Sequence, residues 1–475
     1  MTSPVIVWLR RDLRLADQAA FHAAATTGAP VIPVYVLDDE APRHHRMGGA
    51  SRWWLHHSLA SLDASLRAIG SRLILRRGKA HEELAAIRRE VGARTVHALA
   101  HYEPWWRNAE RAVAKHFQLV RHDGNYLAPP GSITTGSGTP YRIYTPFWRA
   151  LSERLPPAAP RPAPAHLPAP ANWPASDRLE DWGLLPTAPD WAGGLRAEWA
   201  PGEAGARARL ADFAERAARY EQRRNLPSED GTSFLSPHLH FGEISPAAVW
   251  HAVAGAGGSV PTFLGELGWR DYAQNVICQF PDYATRSARA PFDHFPWRSG
   301  AEAEADLAAW QQGRTGYPII DAGMRQLWHS GWMHNRVRML AASFLIKHLL
   351  IDWRAGERWF WDTLVDADYA QNAVNWQWSA GSGVDANLFS RIMAPLSQSA
   401  KFDAAAYIRR WVPELAGLPG SEIHDPPVRP RGYPPPGGAG PLRRWPRPGR
   451  RQGAEATEGA GASGQVCPRP PRPAG

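Results

Sequence analysis

From Leu155 to Asn172 the chain is dominated by Pro and Ala and has no periodicity. The sequence on its two sides follows different rules. Before it, over residues 1–150, short β-branched runs (Val5–Leu9, Val31–Leu37, Arg72–Leu75, Thr95–Ala98) alternate with amphipathic stretches (Ser51–Ile69, Ala80–Val91, Trp106–Phe117). That alternation predicts a parallel sheet covered by helices, a Rossmann-like α/β domain. Beyond about Gly205 nearly every stretch has helical spacing with Ser, Pro and Gly punctuation, which predicts an all-α domain over 205–424. Residues 151–204 read as an extended interdomain linker. From 425 to 475 Pro, Arg and Gly take over, so this tail is expected to be disordered. The switch near Pro426 is abrupt enough to raise out-of-frame translation of GC-rich DNA, with a regulatory tail as the alternative.

A length of 475 residues calls for two or three domains. With 44% hydrophobic and 21% charged residues the composition is that of a soluble globular protein. The 23 Trp are far above ordinary usage, and most of them are expected to be packing. A net charge of +9 invites a nucleic-acid reading. The tail, however, supplies +6 of it through nine Arg and three acids. The global charge therefore says little about DNA. Cys278 and Cys467 are far apart and form no CxxC, so neither a disulfide framework nor a zinc site is expected. The N-terminus reads directly as a strand without a signal peptide. The longest apolar run, 339–351, is broken by Lys347 and His348 and is too short to span a bilayer. A cytoplasmic, monomeric protein is expected. There is no P-loop and no HExxH, and Gly381-Ser-Gly383 lacks a strand-to-helix context.

Chemistry-bearing residues concentrate in three blocks, 315–325, 331–339 and 364–378, which bring amide, guanidinium, carboxylate and indole groups to one region of sequence. Such a set suits an aromatic cofactor that handles electrons. Glu266, Trp269 and Arg270 stand at i, i+3 and i+4 and share a helix face, as do Asn335 and Met339. A surface ion pair beside a core Trp would also explain the first group. Arg338 needs a carboxylate if buried, and Asp366 is the expected partner. Asp366 and Asp368 form a DxD pair, but no further acid or His cluster accompanies them as a metal site would require. Thr232, Ser233 and Ser236 offer hydroxyls and N–H groups at a helix start, which suits a pyrophosphate or a plain cap.

The three blocks, with Glu266-x-x-Trp269-Arg270, resemble the photolyase and cryptochrome family, closest to class I cyclobutane pyrimidine dimer photolyases, and the resemblance runs from about Val5 to about His424. It implies a C-terminal FAD-binding domain. Tyr220, Arg224, Thr232, Ser233, Phe234, Leu235 and Ser236 would contact the FAD phosphates and adenosine. Asp366, Ala367 and Asp368 would lie near the pyrimidine edge of the flavin, Asn372 would face its N5, and Arg338 and Asn335 would join this cofactor set. The resemblance gives Glu266, Asn335, Met339, Trp269 and Trp378 to the dimer, and Trp297, Trp353 and Trp376 to electron transfer. Arg270 would reach flavin phosphates or DNA, and Arg336 and Gln398 would contact DNA. Relatives that repair the six-four photoproduct carry a His pair where this chain has His334-Asn335, which favours cyclobutane dimers.

Two departures stand out. Arg391-Ile-Met-Ala-Pro395 replaces the usual Arg-Ile-Phe-Asn-Pro, and Ser399-Ala400 replace Gly-Glu. At the antenna region Tyr102-Glu103 is followed by Pro104-Trp105-Trp106, not Asn-Glu, which argues against folate bound in the usual mode. A second antenna chromophore of another kind stays open. The function implied is light-driven repair of pyrimidine dimers in UV-damaged DNA by electron transfer from reduced FAD. The alternatives are cryptochrome-type blue-light signalling without repair and a binding protein that has lost its cofactor.

Overall fold

A computed structural model of the chain describes residues 2–256, 260–387 and 392–436. The α/β half contains a five-stranded sheet: β1 Val5–Leu9, β2 Val31–Leu37, β3 Ile74–Arg77, β4 Thr95–Leu99 and β5 Gln118–His122. All pairs are parallel and the order is β3-β2-β1-β4-β5. The apolar central strands β1 and β2 are buried along their whole length, as a sheet covered on both faces requires. β5 escaped the sequence reading because it is an edge strand whose residues are exposed or half-buried, so it lacks an apolar pattern. β3 lies two residues further on than expected, in register with Val34–Leu37. The short Ala19–Thr26 helix was also missed. Its start is fixed by the Gln18 side chain, which accepts from the Ala20 and Phe21 N–H groups.

The second half is helical. Its longest helix, Pro261–Gln279, packs with Pro318–Ser330, Asn335–Ser343, Trp353–Thr363 and Tyr369–Ala380 around one apolar core. Trp310 and Trp353 are fully buried in that core. Among the described residues no helix is long and apolar enough to cross a membrane.

Two expectations need correction. The linker is not free: it contains the short helix Gly193–Glu198, and Leu167, Trp182, Leu184, Leu195 and Trp199 are buried against the sheet-side core. Nor does disorder begin at 425. Tyr433 is buried in the helical core and its hydroxyl donates to Asp321 at 2.8 Å. Arg429 donates to the Gly316 carbonyl at 2.8 Å. A peptide from an unrelated frame would not complete a buried carboxylate's hydrogen bonds, so the change of composition at 425 is not the start of an unrelated frame. Residues 437–475 lie outside the described residues.

The halves meet closely. Leu13 N–H donates to Phe241 O at 3.1 Å and Arg14 to Gly242 O at 2.9 Å. Gly242 has φ +65, and a Cβ there would come within 2.2 Å of the Arg11 carbonyl. Only glycine permits both the left-handed backbone and this approach. Trp361 Nε1 donates to Arg46 O at 2.8 Å across the same seam.

Candidate functional site

A cavity of about 520 Å³ opens in the helical half, lined by the helices that carry Glu266, Asn335 and Asn372. Local sequence sets each of these. Gly331, at φ +66, ends the Pro318–Ser330 helix. His334 Nδ1 then accepts from Arg336 N–H at 3.2 Å and caps the next helix, so that Asn335 enters its first turn. Burial, reinforced by the Arg336 and Arg338 cations, pushes His334 down to about 4, so the cap is a neutral imidazole. Asp368 caps the third helix by accepting from Gln371 N–H at 2.9 Å.

The expected phosphate and adenosine residues Tyr220, Arg224, Thr232, Ser233, Phe234 and Ser236 line the cavity; Leu235 instead points into an adjoining core. Phe234 has φ +53. A non-glycine residue in this region costs on the order of 1–3 kcal/mol and tends to occur at ligand clamps. Here the reversal lets Thr232, Ser233 and Ser236 share one wall. Arg224 Nε and Thr232 Oγ1 are buried there without a hydrogen-bond partner among the described residues. Unsatisfied buried donors are costly, and a phosphate-bearing occupant such as FAD would satisfy both.

A second wall is polar and internally paired. Arg338 holds Asp366 through two bonds of 3.0 and 2.9 Å, the pairing expected from sequence. Burial opposes ionisation of Asp368, but His240, Arg11 and Arg270 outweigh it and keep the carboxyl well below its usual range. His240 Nδ1 lies 3.7 Å from Asp368 and Arg11 3.9 Å. Burial and the Arg11 charge push His240 down to about 4, so at neutral pH the anion faces a neutral imidazole. Asn372 Nδ2 donates to the Glu357 carbonyl and carboxylate, each at 3.0 Å. This fixes the amide with its oxygen as the free group. The DxD pair is thus occupied by a guanidinium and an imidazole.

A third group is aromatic and open. Glu266, Trp269, Asn335, Met339 and Trp378 all line the cavity, and Trp269 is 37% exposed. Glu266 accepts from the Tyr220 hydroxyl and pairs with Arg224. Burial raises its carboxyl above the ordinary value, with Arg224 and Tyr220 opposing. Trp376 touches the cavity too, buried edge-on against Phe360 at 5.1 Å. Trp353 begins the neighbouring helix deep in the core, and Trp297 is packed at the core's margin.

Three expected residues sit differently. Arg270 lines the cavity, but its guanidinium donates to the carbonyls of Asn125 at 2.6 Å and Leu239 at 3.0 Å. Arg336 lies outside the lining, bonded to Asn225 at 2.6 Å and stacked over Phe402. Gln398 is on the helix Pro395–Lys401, which leads into that same Phe402, and Lys401 lies over its ring. Arg391 of the altered segment lies outside the described residues. Arg11, His240 and Glu357 were missed. Arg11 follows β1 in a dense run of charge, a visible signal, but nothing in the sequence links it to Asp368 more than 350 residues away.

Comparison with known proteins agrees with this geometry. Residues 5–168 match the DNA photolyase family, and residues 263–437 match the FAD binding domain of DNA photolyase. A deoxyribodipyrimidine photo-lyase of Agrobacterium fabrum is 49% identical over 440 residues, covering 90% of each chain. Cryptochrome-1 of Arabidopsis thaliana is 36% identical over 89% of this chain and 64% of its own length. The crystal structure of a class III photolyase from Agrobacterium tumefaciens superposes with a TM-score of 0.88 at 47% identity, covering 94% of this chain and 96% of that one. The ion-paired polar wall, the unsatisfied phosphate wall and these matches lead to one conclusion: the chain belongs to the photolyase and cryptochrome family, and its helical half is that family's FAD-binding domain.

Proposed function

We propose that this protein is a deoxyribodipyrimidine photo-lyase that repairs cyclobutane pyrimidine dimers in DNA under blue light. One observation carries the reading: Glu266, Trp269, Asn335, Met339 and Trp378 converge on the same cavity as the phosphate-seeking Arg224 and Thr232. Reduced FAD, when bound and excited, supplies the electron that splits the cyclobutane ring and takes it back. The chain's own residues do the rest. Arg224 and Thr232 would hold the phosphates, while the ion-paired Asp366 and the clamped Asn372 would fix the ring edge of the cofactor. Trp269 and Trp378 would stack on the flipped bases, each worth ~1–3 kcal/mol. That offsets the unstacking of an already distorted dimer. Glu266, its carboxyl raised by burial, would hydrogen-bond the pyrimidine edge. Trp376, Trp353 and Trp297 would relay electrons from the surface. Arg336, with Lys401 beside Phe402, and Gln398 would meet the phosphate backbone. The setting proposed is a cytoplasmic monomer, and a second antenna chromophore, not folate in its usual mode, remains part of the proposal.

The test is an absorbance spectrum of the purified protein followed by blue illumination with an oligonucleotide containing a thymine dimer. A bound flavin and light-dependent recovery of thymine absorbance are expected. Bound flavin without recovery would transfer the reading to a signalling cryptochrome.

A further inference from the structure

Trp269 does not stand alone. Its ring lies face to face with that of Tyr144, centroids 3.6 Å apart and planes 9° from parallel. Behind Tyr144 lies Trp148, again nearly parallel at 14° and 6.3 Å. Tyr272 meets both Tyr144 and Trp269 edge-on, at 5.7 and 5.5 Å. One face of the indole is therefore covered by a ring, while the side chain still opens to the cavity.

The Glu266 helix is shaped to receive this column. A Cβ on Gly268 would sit 2.3 Å from Trp148 Cε3, and one on Gly265 would be 3.5 Å from the Tyr144 hydroxyl. Gly268 leaves the space that Trp148 fills and, with Gly265 at i−3, makes a small-residue strip over which the Tyr144 hydroxyl reaches. Tyr144 is fixed at both ends: its hydroxyl donates to Gly265 O at 2.6 Å and its N–H to Asp385 at 3.2 Å. Burial pushes the phenol well above its ordinary value, so it stays a neutral donor.

We infer that Tyr144, backed by Trp148 and seated on the Gly265/Gly268 strip, is a positioning residue that holds the Trp269 ring in the plane required to stack on a flipped pyrimidine dimer. This rests on the proposed role of Trp269. An indole with nothing behind it would sample several rotamers, and stacking a base on it would cost the entropy of choosing one. The column removes that choice before substrate arrives. Its effect would fall on damaged bases, because stacking on the ring requires a base flipped into the cavity.

The experiment uses the full chain with its flavin, in the dark, and measures affinity for a duplex carrying one thymine dimer and for the same duplex undamaged. Tyr144→Ala is expected to weaken dimer binding by about tenfold, the upper range for an aromatic pair, with affinity for undamaged duplex unchanged. Light-dependent repair at saturating DNA should be preserved. Tyr144→Phe, which keeps the ring, should restore most of the affinity. Trp148→Ala should give a smaller loss of the same selectivity. If Tyr144→Ala does not retain flavin, Tyr144→Leu is read in the same way, since it fills the space without a flat face. Dimer binding as tight as wild type, or an equal loss for both duplexes, would overturn the inference. Trp269→Ala separates the two levels. If it weakens dimer binding and Tyr144→Ala does not, only the positioning role fails; if neither does, the stacking reading of the site fails with it.

Discussion

The polar and aromatic walls of the cavity are finished to different degrees. On the polar side Asp366 already has Arg338, Asp368 has His240 and Arg11, and Asn372 has Glu357. On the aromatic side Trp269 and Asn335 stand open. The contrast fits two kinds of occupant. A group that stays bound can be met by a wall whose charges are balanced within the protein, so that it need supply few bonds. A substrate that enters and leaves is met by flat surfaces, which release it without stranding a buried charge.

The comparison can be broken most directly at Arg338. Arg338→Ala would strand the Asp366 carboxylate, 4% exposed on its side chain, at a cost of about 3 kcal/mol. Chemical denaturation should show that loss together with a lower flavin content; unchanged stability would mean the polar wall is not structural. Asp271, on the Glu266 helix, sharpens the picture through pH. Burial raises its carboxyl from an ordinary 3.8 to about 7, with Ala128 N–H at 2.9 Å only partly opposing. Between those values the folded chain keeps a proton that the unfolded chain has lost, so stability should fall as pH rises from about 4 to about 7 and level off above. Asp271→Asn should flatten that slope in urea titrations at several pH values. At the open wall Trp378→Ala should leave the melting temperature within a degree or two of wild type. Its cost, ~1–3 kcal/mol, should appear only in affinity for dimer-containing DNA, measured by titration in the dark. The smallest effect is expected at Tyr433→Phe, which removes one of several bonds to Asp321 and should cost about 1 kcal/mol of unfolding free energy. A cost near zero would return Tyr433 to the irregular tail.

Much of this was legible in the sequence, for reasons that differ by element. β1 and β2 are apolar runs with sharp boundaries, and a covered parallel strand reads that way. β5 is half polar because it is an edge, and its identity comes from pairing with β4, not from its own residues. The cavity residues on one helix turn, such as Glu266 with Trp269 or Asn335 with Met339, were readable because helical spacing is local. The family resemblance supplied their grouping. Arg11, Glu357 and the Tyr144 column were not readable, since each acts through a contact more than a hundred residues away in sequence or, for Glu357, across a helix–helix seam. Tyr433 was discounted because composition averages over a window, whereas a single buried hydroxyl does not.

The close approach at Gly242 bears on how divisible this protein is. Two residues beyond the end of β1 stands Arg11, whose carbonyl presses on Gly242 and whose guanidinium approaches Asp368. The residue that tunes one side of the cofactor wall thus belongs to the other half of the chain. The helical half is consequently not a portable flavin module: a version cut free of the first strand would lose a counter-charge and expose the seam at once, and any fusion or chimera built from this protein should exchange β1 and the helical half together.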